Sequence, residues 1–222
     1  MFYFSKYNFN IIIYNWVSIS LIFKYFPNLN VDFKQKVEKL FPLYKEHNSK
    51  VNLISRKDFD CFYEKHVLHS LSISKFFQFK KGQDIMDLGT GGGFPGLPLA
   101  ILFPDTKFYL VDSIKKKTDC VSRIVSELKL TNVQVINARS EILNKKFDYI
   151  VSRAVASLTK LDSWSNNKFK EIENSGLICL KGGDLSYELK GFENRVKIID
   201  ISNYFEEDFF LTKKIIFLQK MN

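Results

Sequence analysis

Histidine, cysteine and proline are scarce in this chain of 222 residues, with 3, 3 and 5 of each. Cys61, Cys120 and Cys179 lie far apart with no C-x-x-C spacing. That argues against a disulfide framework or a zinc site and fits a reducing cytosol. His47, His66 and His69 are too few for a histidine-rich metal centre, and His66 and His69, three apart on one helix face, read as structural. No metal is expected. Long apolar runs are also missing. A bilayer helix wants roughly 20 predominantly apolar residues, and the stretch from Phe9 to Phe26 is broken by Asn10, Asn15 and Lys24. No small-x-small cleavage site follows it. Residues 1–24 therefore read as an extension ahead of the domain, with no membrane partner. No internal repeat or low-complexity segment is evident.

Positive charge, by contrast, is in excess. Lys and Arg number 33 against 24 acids, a net charge of +9 and an isoelectric point near 9.3. Residues 1–80 hold 12 Lys and Arg against 6 acids, and residues 81–222 hold 21 against 18. Such a balance favours a polyanionic partner, nucleic acid before membrane, touched through the N-terminal region. Heavy use of lysine, isoleucine, asparagine and phenylalanine is also what an AT-rich genome produces, so basicity is supporting evidence only.

Glycine is equally uneven: five of the ten fall in Asp87-Leu88-Gly89-Thr90-Gly91-Gly92-Gly93-Phe94-Pro95-Gly96. Apolar residues on both sides make this a strand, a glycine loop and a helix start. Such a loop brings backbone N–H groups close to a polar or anionic ligand. Gly91 to Gly96 satisfies the dinucleotide pattern G-x-G-x-x-G, a weak signal alone. Asp87, Gly89, Gly91 and Gly93 match instead the acid-x-Gly-x-Gly-x-Gly loop of S-adenosylmethionine enzymes. Asp87 favours the methyl donor, because a carboxylate suits an amine and a sulfonium and repels a pyrophosphate. A glycine-rich turn without a ligand is the bland alternative. Asp112 ends a second apolar strand 25 residues later, where an acid accepts hydrogen bonds from ribose hydroxyls. Helix capping is its competing role.

Strand and helix patterns then alternate. Strands are expected at 83–88, 107–112, 132–136, 147–152 and 177–180, with helices at 96–103, 115–130 and 158–173. Two β-rich runs, 196–201 and 212–218, are expected to close the sheet in antiparallel fashion. Helical spacing at Phe33, Val37, Leu40, Phe41 and Tyr44, and a second helix from about Phe59 to Phe77, make a small cap. The expected organisation is an extension (1–24), a helical cap (25–81) and an α/β domain (82–222). Its sheet is mostly parallel and Rossmann-like, with ligands bound beyond the strands' carboxyl ends.

Asn52–Arg56 with Glu64–Leu71, Asp87–Ala100, Leu110–Ser113, Ser152–Leu158 and the shorter Leu180-Lys181-Gly182 follow one another along the chain. With these blocks in this order the chain resembles the glucose-inhibited division protein B family (RsmG) of bacterial small-subunit ribosomal RNA methyltransferases. The resemblance covers about Phe41 to Lys190. The resemblance implies the class I methyltransferase fold, S-adenosylmethionine as cofactor, and methyl transfer to N7 of one guanine in 16S ribosomal RNA. The substrate is the RNA or the small subunit, in the cytoplasm, and the enzyme is expected to be a monomer. Carried over by position, cofactor contacts fall on Gly89, Phe94, Ser140-Glu141 and Arg153. Ser140 departs from the usual alanine or valine, and Lys115 from a common glycine.

N7 carries a lone pair and no proton, so the absence of a histidine–carboxylate pair suits the reaction. Arg153 positions cofactor or base on this reading, and a surface ion pair on the bland one. Arg56, Lys57 and Lys65, and the run Lys115-Lys116-Lys117, are the candidate RNA contacts, with a solvated charged face as the alternative. Two further functions stay open: a methyltransferase of the same fold acting on another RNA, a protein or a small molecule, and a non-catalytic ribosome-binding module. Ser152-Arg153-Ala154-Val155 stands where amino-directed enzymes commonly carry an Asn/Asp-Pro-Pro-aromatic motif.

Overall fold

A computed structural model of the chain describes residues 19–172 and 174–220; the expected extension lies largely outside them, in residues 1–18. The strands are β1 (Asp84–Leu88), β2 (Lys107–Asp112), β3 (Val133–Asn137), β4 (Tyr149–Arg153), β5 (Gly176–Gly182), β6 (Val196–Asp200) and β7 (Lys213–Gln219). They form one seven-stranded sheet in the order β3-β2-β1-β4-β5-β7-β6. The first five run parallel. β7 is antiparallel to β5, with Cys179 opposite Ile216, and β6 closes the edge antiparallel to β7. The mostly parallel sheet with an antiparallel C-terminal strand is the one expected. β1 is buried from Ile85 to Leu88 because it is covered on both faces, and its buried stretch is apolar except for Asp87.

Helix α1 (Val31–Asn48) starts at Asn30, whose side chain accepts from Phe33 N at 2.8 Å, and buries Phe33, Val37, Leu40 and Tyr44. Pro42 inside it has no N–H to offer the Glu38 carbonyl. The Tyr63 hydroxyl donates there instead (3.3 Å), and to the Val37 carbonyl (3.1 Å), tying the two halves of the cap together. Helices α2 (Gly96–Leu102), α3 (Lys115–Glu127) and α4 (Leu158–Ser165) connect the strands.

Two expected helices differ. The segment 59–77 is no single α-helix. It is a 3-10 turn (Arg56–Cys61), a wider π turn (Tyr63–Leu68), one α turn (His69–Leu71) and another 3-10 turn (Ser72–Lys75). The hydroxyls of Ser70, Ser72 and Ser74 donate at 2.6–2.7 Å to the carbonyls of His66, His69 and Leu71, competing with the regular ladder. The helix expected at 158–173 ends at Ser165 and continues only as a 3-10 turn to Lys168. Phe169 there bridges to Phe147, with Phe147 N donating to the Lys168 carbonyl (2.7 Å) and Lys170 N to the Phe147 carbonyl (2.9 Å). Glu173 lies outside the described residues.

One buried cluster runs from Ile19 and Ile22 through the cap to Ile85, Leu110 and Ile215, so cap and sheet share a core. A second cluster joins alternate residues of the same strands, among them Met86, Val111 and Ile216, to Leu161 of α4. The carboxyl ends of β1 to β4 are left free to carry loops.

Candidate functional site

Those loops enclose an open cavity of about 460 Å³. The reversal of strand order between β1 and β4 opens such a crevice. Its lining includes Gly91, Phe94, Asp112, Glu141 and Arg153, with Leu53 of the cap and Trp164 of α4 at the margin.

The loop after β1 is built by close approach. Gly91 has φ of +56°, and a Cβ there would find nothing nearer than 3.9 Å. Gly96 is the opposite case: a Cβ would stand 2.3 Å from Leu110 Cδ2 and 2.7 Å from Asp87 Oδ2. Asp87 explains that tight fit. Its Oδ2 accepts from Gly96 N (2.8 Å) and Thr90 Oγ1 (2.6 Å), while Oδ1 is buried with no partner among the described residues. Burial pushes its carboxyl up to about 7. Asp87 is wholly buried and absent from the cavity wall, and its bonds fold the loop. From the cap, buried Tyr44 donates its hydroxyl to the Gly92 carbonyl.

Asp112 lines the cavity half-buried. Its Oδ2 accepts from Gly91 N and its Oδ1 from Ile114 N, both at 2.8 Å. It thus ties the two loops together, and each oxygen keeps a second acceptor site. The wall after β3 is formed by Ala138 to Glu141, with Ser140 buried. Sequence reasoning missed what holds this wall. Lys168 is buried, and its Nζ donates to the carbonyls of Glu141 (2.8 Å) and Leu143 (2.5 Å). An isolated lysine outside every motif carries no signal of that role.

Arg153, at the end of β4, is no surface ion pair. It donates to the Lys65 carbonyl (3.1 Å) and His66 Nδ1 (2.9 Å), and its guanidinium lies 4.9 Å from the centre of the Phe94 ring. Burial lowers it to about 10. Burial and the Arg153 cation together hold His66 down at about 3, so the imidazole is neutral and free to accept. No carboxylate among the described residues lies within ion-pair distance of Arg153. A cation so enclosed favours an anion in the cavity it faces. His66, read from sequence as structural, supports Arg153; its place in the Glu64–Leu71 block was the available signal.

The basic candidates do not converge. Lys117 lines the cavity and Lys116 is exposed, but Lys115 pairs with Asp119 at 2.8 Å. Arg56 and Lys57 are exposed on the turn beside Leu53, while Lys65 pairs with Asp58 at 3.2 Å. Among the described residues no group of three or more His, Cys, Asp or Glu is arranged to hold a metal, and no helix is long and apolar enough to cross a membrane.

Comparison with known proteins matches residues 33–216 to the GidB family model, described as rRNA small subunit methyltransferase G. Two relatives carry the name Ribosomal RNA small subunit methyltransferase G. The one from Flavobacterium johnsoniae is 48% identical over 201 residues, 89% of this chain and 96% of its own length. The one from Christiangramia forsetii is 49% identical over 207 residues, 91% and 97%. A solved SAM dependent methyltransferase from Aquifex aeolicus is similar in fold alone: TM-score 0.50, 16% identity, 68% of this chain and 89% of that one.

Proposed function

The chain belongs to the GidB family of rRNA small subunit methyltransferases G, and from that premise we propose that it transfers a methyl group from S-adenosylmethionine to N7 of one guanine in 16S ribosomal RNA. The cytoplasm, where ribosomes are modified, is its site of action.

The observation that carries the reading is the pair of charged ends of one cavity: a half-buried acid, Asp112, and an enclosed cation, Arg153, without a carboxylate partner among the described residues. S-adenosylmethionine presents two ribose hydroxyls and an α-carboxylate, which suit those ends. Asp112 accepts from the hydroxyls with its remaining lone pairs. Arg153, held by His66 and the Lys65 carbonyl, draws the carboxylate. The open side of Gly91 leaves room for a ligand against the backbone, and Ser140-Glu141 borders the far end. When bound, the cofactor supplies an electrophilic methyl group on a sulfonium.

The protein's part is alignment. Guanine N7 offers a lone pair and no proton, so no side chain has to act as a base. Holding donor and acceptor in line contributes about 7–11 kcal/mol to such a reaction. Arg56, Lys57, Lys65 and Lys115 to Lys117 are the proposed phosphate contacts. Lys65 and Lys115 would have to leave Asp58 and Asp119 to take part, so Arg56, Lys57, Lys116 and Lys117 are the readier members.

Calorimetric titration with S-adenosylhomocysteine, repeated in excess NAD, tests the cavity assignment. Binding undisturbed by NAD is expected. Competition by NAD would return the loop to the dinucleotide class.

A further inference from the structure

The short block Leu180-Lys181-Gly182 has no part in the site described so far. β4 and β5 run parallel with Arg153 opposite Leu180, so Lys181 lies one residue beyond the level of Arg153. Its Nζ donates to the Ala156 carbonyl at 2.6 Å and to Glu188 Oε1 at 2.8 Å. The same Oε1 accepts from Leu158 N at 2.7 Å. Both side chains are mostly buried, 13% and 23% exposed.

The bonded stretch is the one that needs holding. Ala154 has φ of +55°, a region costly for alanine, and Ala154 and Val155 line the cavity. Ser157, the N-cap of α4, makes no capping bond with its own side chain. Glu188 supplies the missing acceptor from outside the helix. Lys181 and Glu188 therefore bracket Ser157 and tie residues 154–158 to the end of β5.

Strand order shows which part of the reaction this touches. Along the carboxyl edge, β3, β2, β1 and β4 present in turn Ser140-Glu141, Asp112, the glycine loop and residues 153–155. If the adenine end lies by β3 and the ribose by β2, the amino-acid end and its methyl group fall towards β4. The acceptor base then lies against residues 154–158.

We propose that Lys181, acting through Glu188, is a positioning residue for methyl transfer: the pair fixes the backbone against which the acceptor base is aligned. The proposal rests on the methyltransferase reading above. Three full-length variants test it, Lys181→Met, Lys181→Arg and Glu188→Gln, assayed with small ribosomal subunits from cells lacking the modification. Lys181→Met should lower kcat roughly 10- to 100-fold while S-adenosylhomocysteine affinity stays within about twofold of wild type. Amide exchange over residues 154–158 should accelerate in the same variant. Lys181→Arg, which keeps a cation, should recover most of kcat, and Glu188→Gln, which keeps an acceptor for Leu158 N, should fall between. An active wild type beside an equally active Lys181→Met overturns the positioning role alone. Cofactor affinity falling in step with kcat also overturns it, in favour of a structural role. A wild type that transfers no methyl group removes instead the reading on which the proposal rests.

Discussion

The two sides of the β1–β4 boundary hold their loops in different ways. Beside β1 and β2, apart from the bond from Tyr44 of the cap to the Gly92 carbonyl, the bonds stay within residues 87–114 and run mostly from backbone amides to two acids. Gly96 and Thr90 donate to Asp87, nine and three residues away, and Gly91 and Ile114 to Asp112, 21 and two residues away. Beside β4 and β5 the bonds come from long cationic side chains and cross the fold. Arg153 reaches His66 and Lys65, 87 and 88 residues away, and Lys181 reaches back 25 residues to Ala156. The first side is a preformed backbone cradle suited to a constant ligand. The second depends on the cap and on β5 being in place, and on the proposed reading it aligns what is brought to that ligand.

The largest effect should come from breaking the cradle. Gly91→Val puts a β-branched side chain into the open wall at a φ that valine avoids. Strain of about 1–3 kcal/mol added to the steric block should cost roughly 100-fold or more in cofactor affinity. Unchanged calorimetric affinity in the folded variant would remove the loop from the site. Next, Asp112→Ala should weaken S-adenosylhomocysteine binding by about 1.5–3 kcal/mol, the usual worth of charge-assisted bonds, with RNA binding retained. Wild-type affinity would leave Asp112 only its role of tying two loops together.

This division also explains what could be read from the sequence. The glycines and Asp87 form one contiguous motif and Asp112 ends the next strand, so Gly89, Gly91, Phe94 and Asp112 were legible as residues of one cavity lining, as was the alternation of strands and helices. Asp87 was legible as a site residue but not as a buried one, because spacing does not tell whether a carboxylate faces a cavity or its own loop. The roles of His66, Lys168 and Lys181 follow from side chains meeting across the fold; the Glu64–Leu71 and Leu180–Gly182 blocks marked two of these positions but not what they touch. The π turn at Tyr63–Leu68 escaped for a similar reason. Helical periodicity is the same until serine hydroxyls and Arg153 draw on particular carbonyls.

A smaller effect should separate RNA binding from cofactor binding. Replacing Arg56, Lys57 and Lys65 together with Gln should leave cofactor affinity unchanged and flatten the salt dependence of RNA binding. The log–log slope should shrink by about 0.7 for each single-stranded phosphate that is no longer neutralised. Lys65→Gln alone should matter least, since that lysine already pairs with Asp58. A wild-type slope in filter binding would move the RNA surface elsewhere, towards Lys116 and Lys117.

The smallest effect is a pH dependence inside the cradle. Because Asp87 is raised to about 7 in the fold, the folded state holds that proton more tightly than the unfolded chain. The associated stability is fully present below the ordinary carboxylate pKa and is lost as pH rises through about 7. Asp87→Asn keeps an oxygen for Gly96 N and Thr90, so its Tm should fall less than that of wild type between about pH 5 and pH 8. Parallel Tm curves for the two proteins would show that Asp87 stays ionised in its burial.

The central claim meets its most direct test in the product. Small ribosomal subunits from cells lacking the modification are incubated with the purified chain and S-adenosylmethionine, and the RNA is then mapped by mass and by cleavage selective for N7-methylguanine. One new methyl group is expected, at N7 of a single guanine in 16S ribosomal RNA. A methyl group on an exocyclic amine or another base, or none at all with the cofactor bound, would contradict it.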